Sequence, residues 1–409
     1  MFLTHLRLAD YRSYRRLDLP LSVGTTVLLG PNGYGKTNLV EAVAFLATLS
    51  SHRVASNAPL IRSGANRATI AARVQAGRDD DRCLSVGIDI RAVGSNQASL
   101  NQAVVRPRAI LGAVRVVVFS PEDLCLTAGD PADRRRFIDE LIISRWPRLA
   151  GVKADYDKAL RQKNQLLKSL SGKSVRTAGA GADLTIDLWN ETLATVGAEL
   201  VAARLKTIAD LADPAQNNYD AIAPRASSAR VAYQFAGIDQ PTAIDPAGLK
   251  EALLTGMDRR RGDELARGQS LVGPHRDELS LSLGELPVKG YASHGESWSF
   301  ALSLRLASLE LLQADGVEPI LILDDVFAEL DEQRRARVVT AIGTVDQALV
   351  TAAVAHDLPA NLAAWIIRVD RDDQGWSLLT ADDGVADGVA DSTGGMAGQG
   401  ESDGESNDD

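Results

Sequence analysis

The stretch "GPNGYGKTN", residues 30–38, constrains the fold more than any other part of the chain. Gly30, Gly35, Lys36 and Thr37 have the spacing G-x-x-x-x-G-K-[ST]. The apolar run "TTVLL" before them predicts a buried strand, and "NLVEAVAFLATL" after them predicts a helix with apolar residues at helical spacing. A strand that turns through glycines into a helix start cradles phosphate, because the amides turn inward and the helix dipole favours the anion. The candidate nucleotide site is therefore the whole loop: Gly30, Pro31, Asn32, Gly33, Tyr34, Gly35, Lys36, Thr37 and Asn38. Lys36 is placed to reach the β and γ phosphates, and the Thr37 hydroxyl to hold Mg²⁺.

A chain of 409 residues, 45% of them hydrophobic, has room for two or three domains. Two cysteines, Cys83 and Cys125, make neither a disulfide framework nor a zinc site and suit a reducing compartment. The opening "MFLTHLRLADYRSY" lacks the apolar core of a signal peptide, and no stretch approaches about 18 consecutive apolar residues. A cytoplasmic protein without a membrane partner is expected. The formal net charge of −10 is unevenly spread. Nine of the 54 acids follow Ser377, where no Lys or Arg stands, so the body holds 45 acids against 44 bases. Residues 376–409, rich in Gly, Ser and Asp, are expected to be a disordered tail.

The second informative stretch is "PILILDDVFAELDEQRRARV", residues 319–338. Its apolar run ends in Asp324 and Asp325, as a buried parallel strand ends when it delivers carboxylates to a site. Asp324 is placed in the Mg²⁺ shell and Asp325 as acceptor of a proton from attacking water, although two acids after a strand alone also suit a helix cap or turn. A third stretch, "YASHGESWSFALSLRLASLELL" from Tyr291, puts Ser293, Gly295 and Glu296 at a helix entrance 31 residues before Asp324. Such an entrance offers hydroxyl and amide donors to phosphate, or is an ordinary capped helix.

Together the phosphate loop, an S-x-G-[QE] signature and "LILDD" followed by "ELD" resemble an ATP-binding-cassette head. The resemblance implies ATP as ligand and two heads that dimerise face to face. Ser293, Gly295 and Glu296 of one chain then close over the ATP of the other, and Asp331 lines the dimer seam. The 257 positions between Lys36 and Ser293 leave room for an insertion, and "DYDKALRQKNQLLKSL" and "DLTIDLWNETLATVGAELVAARLKTIADLA" predict helices joined through a glycine-containing segment.

More of the chain resembles the RecF family of bacterial DNA repair and replication proteins, which is similar to the head of SMC-type chromosome proteins. "LTHLRLADYRSY", "SHRVASNAPLIRSGA", "VVFSPEDLCLTAGDPADRRRFIDELI", "YDKALRQKNQLLK", "LVGPHRDEL" and "LILDDVFAELD" carry that resemblance, which spans most of residues 1–370. It implies ATP-dependent binding to DNA where a single-stranded gap meets duplex, work with RecO and RecR in loading RecA, a part in the SOS response, and slow DNA-stimulated hydrolysis. Asp325 stands where many transporters have glutamate, and its shorter side chain fits slow turnover. The signature reads "SHGES", with Glu296 where the family more often has glutamine. A switch histidine directly after "ALVTAAV" is missing, and His356 is a loop histidine nearby. Glu122 and Asp123 in "FSPEDL" receive no role. Arg12 is either a nucleotide contact or a surface salt bridge.

Basic clusters are the candidate DNA contacts: Arg134, Arg135 and Arg136; Arg259, Arg260 and Arg261; and Lys153, Lys158, Arg161, Lys163 and Lys168 on the arm. They would neutralise phosphates without reading bases, or form solvated and ion-paired faces. An aromatic content of 5% speaks against a broad base-stacking platform. The tail either keeps the chain soluble or competes with DNA for this surface. The expected architecture is α/β, an ABC-type P-loop ATPase head with an inserted helical arm. Residues 1–143 supply the phosphate-loop lobe, 144–264 the arm and 265–375 the signature and magnesium acid. A transporter subunit and a nucleotide-gated scaffold with negligible hydrolysis are the alternative functions.

Overall fold

The computed structural model describes residues 1–171, 180–223, 227–360 and 362–381. Of the tail expected to be disordered from residue 376 to 409, Ser377–Ala381 instead form a strand that pairs with the edge of the central sheet, and residues 382–409 lie outside the described residues. Apolar runs build the central sheet: β3 (Gly24–Leu29), β8 (Val116–Phe119), β12 (Ile320–Asp324), β13 (Gln347–Ala352) and β14 (Trp365–Arg371) are parallel, in the order β14-β3-β13-β12-β8. Every residue of β12 and β13 is buried, as continuous apolar strands between two covered faces must be. The antiparallel strand β15 (Ser377–Ala381) closes the edge at β14.

A second, antiparallel sheet runs in the order β2-β1-β4-β5-β6-β7, from β1 (Phe2–Tyr11), β2 (Tyr14–Pro20), β4 (Arg67–Gly77), β5 (Asp80–Arg91), β6 (Gln97–Leu100) and β7 (Ala103–Val105). Its strands alternate, with Leu6, Leu8, Ile70 and Ile88 inward and Arg7 and Arg73 outward. Helix α1 (Lys36–Thr48) lies between the two sheets, its Leu39, Val43 and Phe45 packed in one core with Ile322, Leu349 and Ile367 of the parallel sheet. The burial of α1 on nearly every side fixes the phosphate loop that precedes it.

The opposite face of the parallel sheet is covered by α2 (Leu124–Ala128), α3 (Pro131–Arg145) and α8 (His294–Ala314), with α9 (Glu332–Ile342) following β12. The insertion holds α4 (Leu149–Leu170), α5 (Ala180–Ile222), α6 (Pro246–Arg259) and α7 (Arg261–Arg267). At 43 residues, α5 is about 65 Å long and serves two cores. Leu193, Ala194, Ala198 and Val201 pack with Tyr156 of α4 and with Leu253 and Met257 of α6, whereas Ile208, Leu211, Ala215 and Tyr219 join α8. The stretch 144–264, expected to be helical, also holds strand β9 (Ala229–Gln234). It pairs with β10 (Glu278–Leu283), which also pairs with β11 (Leu286–Pro287). Among the described residues no helix is long and apolar enough to cross a membrane.

Candidate functional site

The parallel order β3-β13-β12 brings the C-terminal ends of three strands to one edge, and the loop after β3 lies across it. Gly30 donates its amide to Ala352 O of β13 at 3.2 Å. A side chain at Gly30 would put its Cβ 2.3 Å from Val369 O, a backbone atom of β14. Gly30→Ala is therefore expected to destabilise the fold by about 1–3 kcal/mol. Urea melting checks this, and unchanged stability would mean that β14 gives way. Gly33 and Gly35 take φ of +82° and +112°, which glycine adopts at little steric cost.

The Lys36 ammonium lies back over this loop, donating to Gly30 O at 2.6 Å, Pro31 O at 3.2 Å and Asn32 Oδ1 at 3.3 Å. Burial lowers its pKa, against the opposing pull of the Asp325 and Asp324 carboxylates. The Thr37 hydroxyl donates to Asp324 Oδ1 at 3.0 Å, 287 residues away in the chain. Burial pushes the Asp324 carboxyl above the usual range, and hydrogen bonds from Thr351 and Thr37 only partly offset that. Adjacent Asp325 is half-buried with φ +56°.

Magnesium commonly takes one or two protein oxygens beside phosphate oxygens and waters, and the Thr37 hydroxyl with the Asp324 carboxylate suits such a shell. Among the described residues no group of three or more His, Cys, Asp and Glu is arranged to hold a metal by itself.

Several residues of this edge escape sequence reasoning. Tyr14 donates its hydroxyl to Gly35 O at 3.1 Å, and Asn38 Nδ2 donates to Ser13 Oγ at 2.9 Å. Ser377 donates to Tyr34 O at 2.5 Å. Arg371 donates to Gly33 O and stacks its guanidinium 5.1 Å from the Tyr34 ring centre. Thr351, in "ALVTAAV", touches Asp324 at the end of β12 and Asp325 just after it. The one available signal was its place at the end of an apolar strand.

The signature residues form a capping box at the start of α8. Glu296 accepts from Ser293 N at 2.8 Å, and Ser293 Oγ accepts from Glu296 N at 3.3 Å. Arg334 links this turn to "ELD", donating to Gly295 O at 2.9 Å and to Asp331 Oδ2 at 2.5 Å, while Asp331 caps α9. Asp123, without a role from sequence, caps Ser120 N at 3.0 Å and pairs with Arg305 of α8 at 2.6 Å. Glu122 is exposed, and His356 is exposed beside Asp357 at 3.4 Å.

Other candidates have partners within the fold. Arg12 pairs not at the surface but with fully buried Glu41, at 2.6 and 2.9 Å, and donates to Pro59 O, so its charge is taken up within the fold. Burial disfavours the Glu41 charge, but hydrogen bonds from Arg12 and Ser51 outweigh it and hold this carboxyl below the usual range. Arg134 is buried in a two-bond pair with Glu278, and Arg135 donates to Asp277 O at 2.9 Å. Arg259 pairs with Asp239, Arg260 with Asp263, and Arg261 with Asp187 and Asp183. On the arm, Lys163 is fully buried against Glu264 at 2.7 Å, and Lys153 pairs with Asp157. Arg136, Lys158, Arg161 and Lys168 remain exposed. The last three share one face of α4 by their spacing.

Residues 2–375 match the family model of the RecF/RecN/SMC N terminal domain. A protein of Cutibacterium acnes named "DNA replication and repair protein RecF" is 50% identical over 396 residues, covering 94% of this chain and 99% of the relative. The chain belongs to the RecF family. A RecF of Streptomyces avermitilis is 52% identical over 365 residues, 89% of this chain and 96% of its own. The fold agrees with solved RecF structures. The recombination mediator protein RecF-ATPrS in the RecFOR pathway superposes with a TM-score of 0.80 at 23% identity, over 90% of this chain and 96% of that one. An Smc head domain from Pyrococcus furiosus follows the same fold more loosely, with a TM-score of 0.53 at 18% identity over 93% of this chain and 96% of that one. The expected α/β, ABC-type head is thus the fold this RecF-family chain adopts.

Proposed function

We propose that this chain binds ATP with Mg²⁺ on residues 30–38 and uses it to close a homodimer on DNA. The observation that carries the reading is the meeting of Lys36, Thr37, Asp324 and Asp325 at one sheet edge, in a chain half identical to proteins named for DNA replication and repair. Magnesium would supply charge neutralisation at the phosphates. Thr37 and Asp324 would orient that ion, Lys36 would hold the β and γ phosphates, and Asp325 would accept the proton of the attacking water. Ser293, Gly295 and Glu296 would serve the ATP of the partner copy. The Arg334 bridge supports treating them and Asp331 as one rigid edge.

The preferred DNA is a single-strand/duplex junction, as in gap repair with RecO and RecR ahead of RecA loading and the SOS response. Hydrolysis is slow, DNA-stimulated and acts as a timer for release. Residues 1–143 and 265–375 form the head and 144–264 the arm, whose exposed Lys158, Arg161 and Lys168 offer phosphate contacts alongside Arg136.

The test is binding to gapped duplex, blunt duplex and single strand, each with ATP, with ADP and without nucleotide, at two salt concentrations. Binding that needs ATP and weakens with salt is expected, and charge removal at Lys158, Arg161 and Lys168 should reduce the salt slope by about 3. A chain that ignores all three DNAs would sink the reading. So would an unchanged mass in light scattering with and without ATP and Mg²⁺, for the dimer.

A further inference from the structure

Thr351 is the penultimate residue of β13, which lies between the strand that leads into the phosphate loop and β12, which ends at Asp324 just before Asp325. It is 1% exposed, so its hydroxyl must find partners within the fold. The Asp325 amide lies 2.8 Å from Thr351 Oγ1, and Asp324 Oδ1 lies 2.7 Å from the same oxygen. Proton direction here is fixed by chemistry. An amide only donates, so Thr351 Oγ1 accepts from Asp325. An ionised carboxylate only accepts, so the Thr351 proton goes to Asp324. The result is a relay from Asp325 N–H through Thr351 O–H to Asp324, in which each bond polarises the next.

The relay restrains both acids together. Asp325 has φ +56°, a left-handed conformation that costs a non-glycine residue of order 1 kcal/mol or more and persists only where neighbours enforce it. Its amide bond to Thr351 is one such restraint. Asp324 receives the Thr351 and Thr37 hydroxyls on the same Oδ1, so its carboxylate is fixed from strand β13 and from the first turn of α1.

We propose that Thr351 is a positioning residue for hydrolysis, setting the direction of Asp325 through its amide and the rotation of Asp324 through its carboxylate. The inference rests on the proposed ATPase reading. Thr351→Val keeps the branched shape of the strand and deletes the relay. It is expected to lower kcat about 10- to 100-fold, the scale of a small misplacement of reacting groups, with ATP affinity within about threefold of the parent. In the nucleotide-free protein, amide hydrogen exchange at Asp325 should speed up by roughly 2- to 10-fold, the scale of one lost hydrogen bond. Thr351→Ser, which restores the hydroxyl, should recover both. Full turnover in Thr351→Val, or equal loss of affinity and turnover with unchanged exchange, would overturn the inference. Asp325→Asn separates the two readings: if it too hydrolyses ATP at the parent rate, the assignment of Asp325 as proton acceptor fails first.

Discussion

Lys36→Ala is expected to weaken ATP binding about 100-fold while leaving the nucleotide-free protein folded. Lys36 is 5% exposed, and its ammonium lies over the loop on the Gly30 and Pro31 carbonyls and the Asn32 side chain, already directed into the cradle. Turning it to the β and γ phosphates exchanges neutral acceptors for charged ones. A hydrogen bond to a charged group contributes about 1.5–3 kcal/mol, and the upper end applies where water is largely excluded. About 3 kcal/mol corresponds to roughly 100-fold in Kd. Burial lowers the Lys36 pKa, and Asp324 and Asp325 beside it hold the cation in place, so removing it also leaves two acids facing the phosphates. Titration with a fluorescent ATP analogue measures the loss, and a melting curve without nucleotide checks the fold. Unchanged affinity would mean that Lys36 serves only to cap loop carbonyls.

What could be read from sequence is what local spacing dictates. The turn after "TTVLL" needs glycine at Gly30, Gly33 and Gly35, and "ILILDD" has the all-buried pattern of a central parallel strand, so both appear as written. The Ser293–Glu296 box is likewise a matter of three residues. The bonds that brace these motifs are remote: Arg371 reaches Gly33 across 338 residues, Ser377 reaches Tyr34 across 343, and Arg134 reaches Glu278 across 144. A cluster such as "DRRRFIDE" shows its charge in sequence but not its partners, so Arg134 reads as a surface cation although it is buried. Lys163 misleads in the same way, because Glu264 waits a hundred residues downstream. Strand β9 is hidden because "ARVAYQ" finds its partner in β10, beyond two helices.

The joint between arm and head gives the largest expected loss of stability. Arg204 of α5 is buried, with two hydrogen bonds to Asp139 of α3 at 2.8 and 3.0 Å and a third to Pro274 O at 2.7 Å. Burial disfavours the Arg204 cation, but the Asp139 carboxylate outweighs that and holds its pKa above the ordinary arginine value. The same corner holds Tyr156 against His275 at 2.7 Å and Tyr233 against Asp277 at 2.6 Å, so "GPHRD" is the hub through which α4, α5 and β9 meet the head. Removing one member of a buried pair strands the other charge, at about 3–5 kcal/mol, whereas removing both often costs little. Arg204→Met is therefore expected to destabilise by about 3–5 kcal/mol. Adding Asp139→Leu should recover most of this, leaving a residue from the unsatisfied Pro274 carbonyl. Urea melting followed by two probes, one in the arm and one in the head, measures both variants. Coincident transitions would mean that the joint fails with the whole fold. An arm transition that moves alone would place the loss at the joint, because α5 continues into the head core beyond Arg204 and can hold that half without the other. If the single and double variants lost equal stability, the pair would not be coupled, and the anchoring would lie with the tyrosines instead.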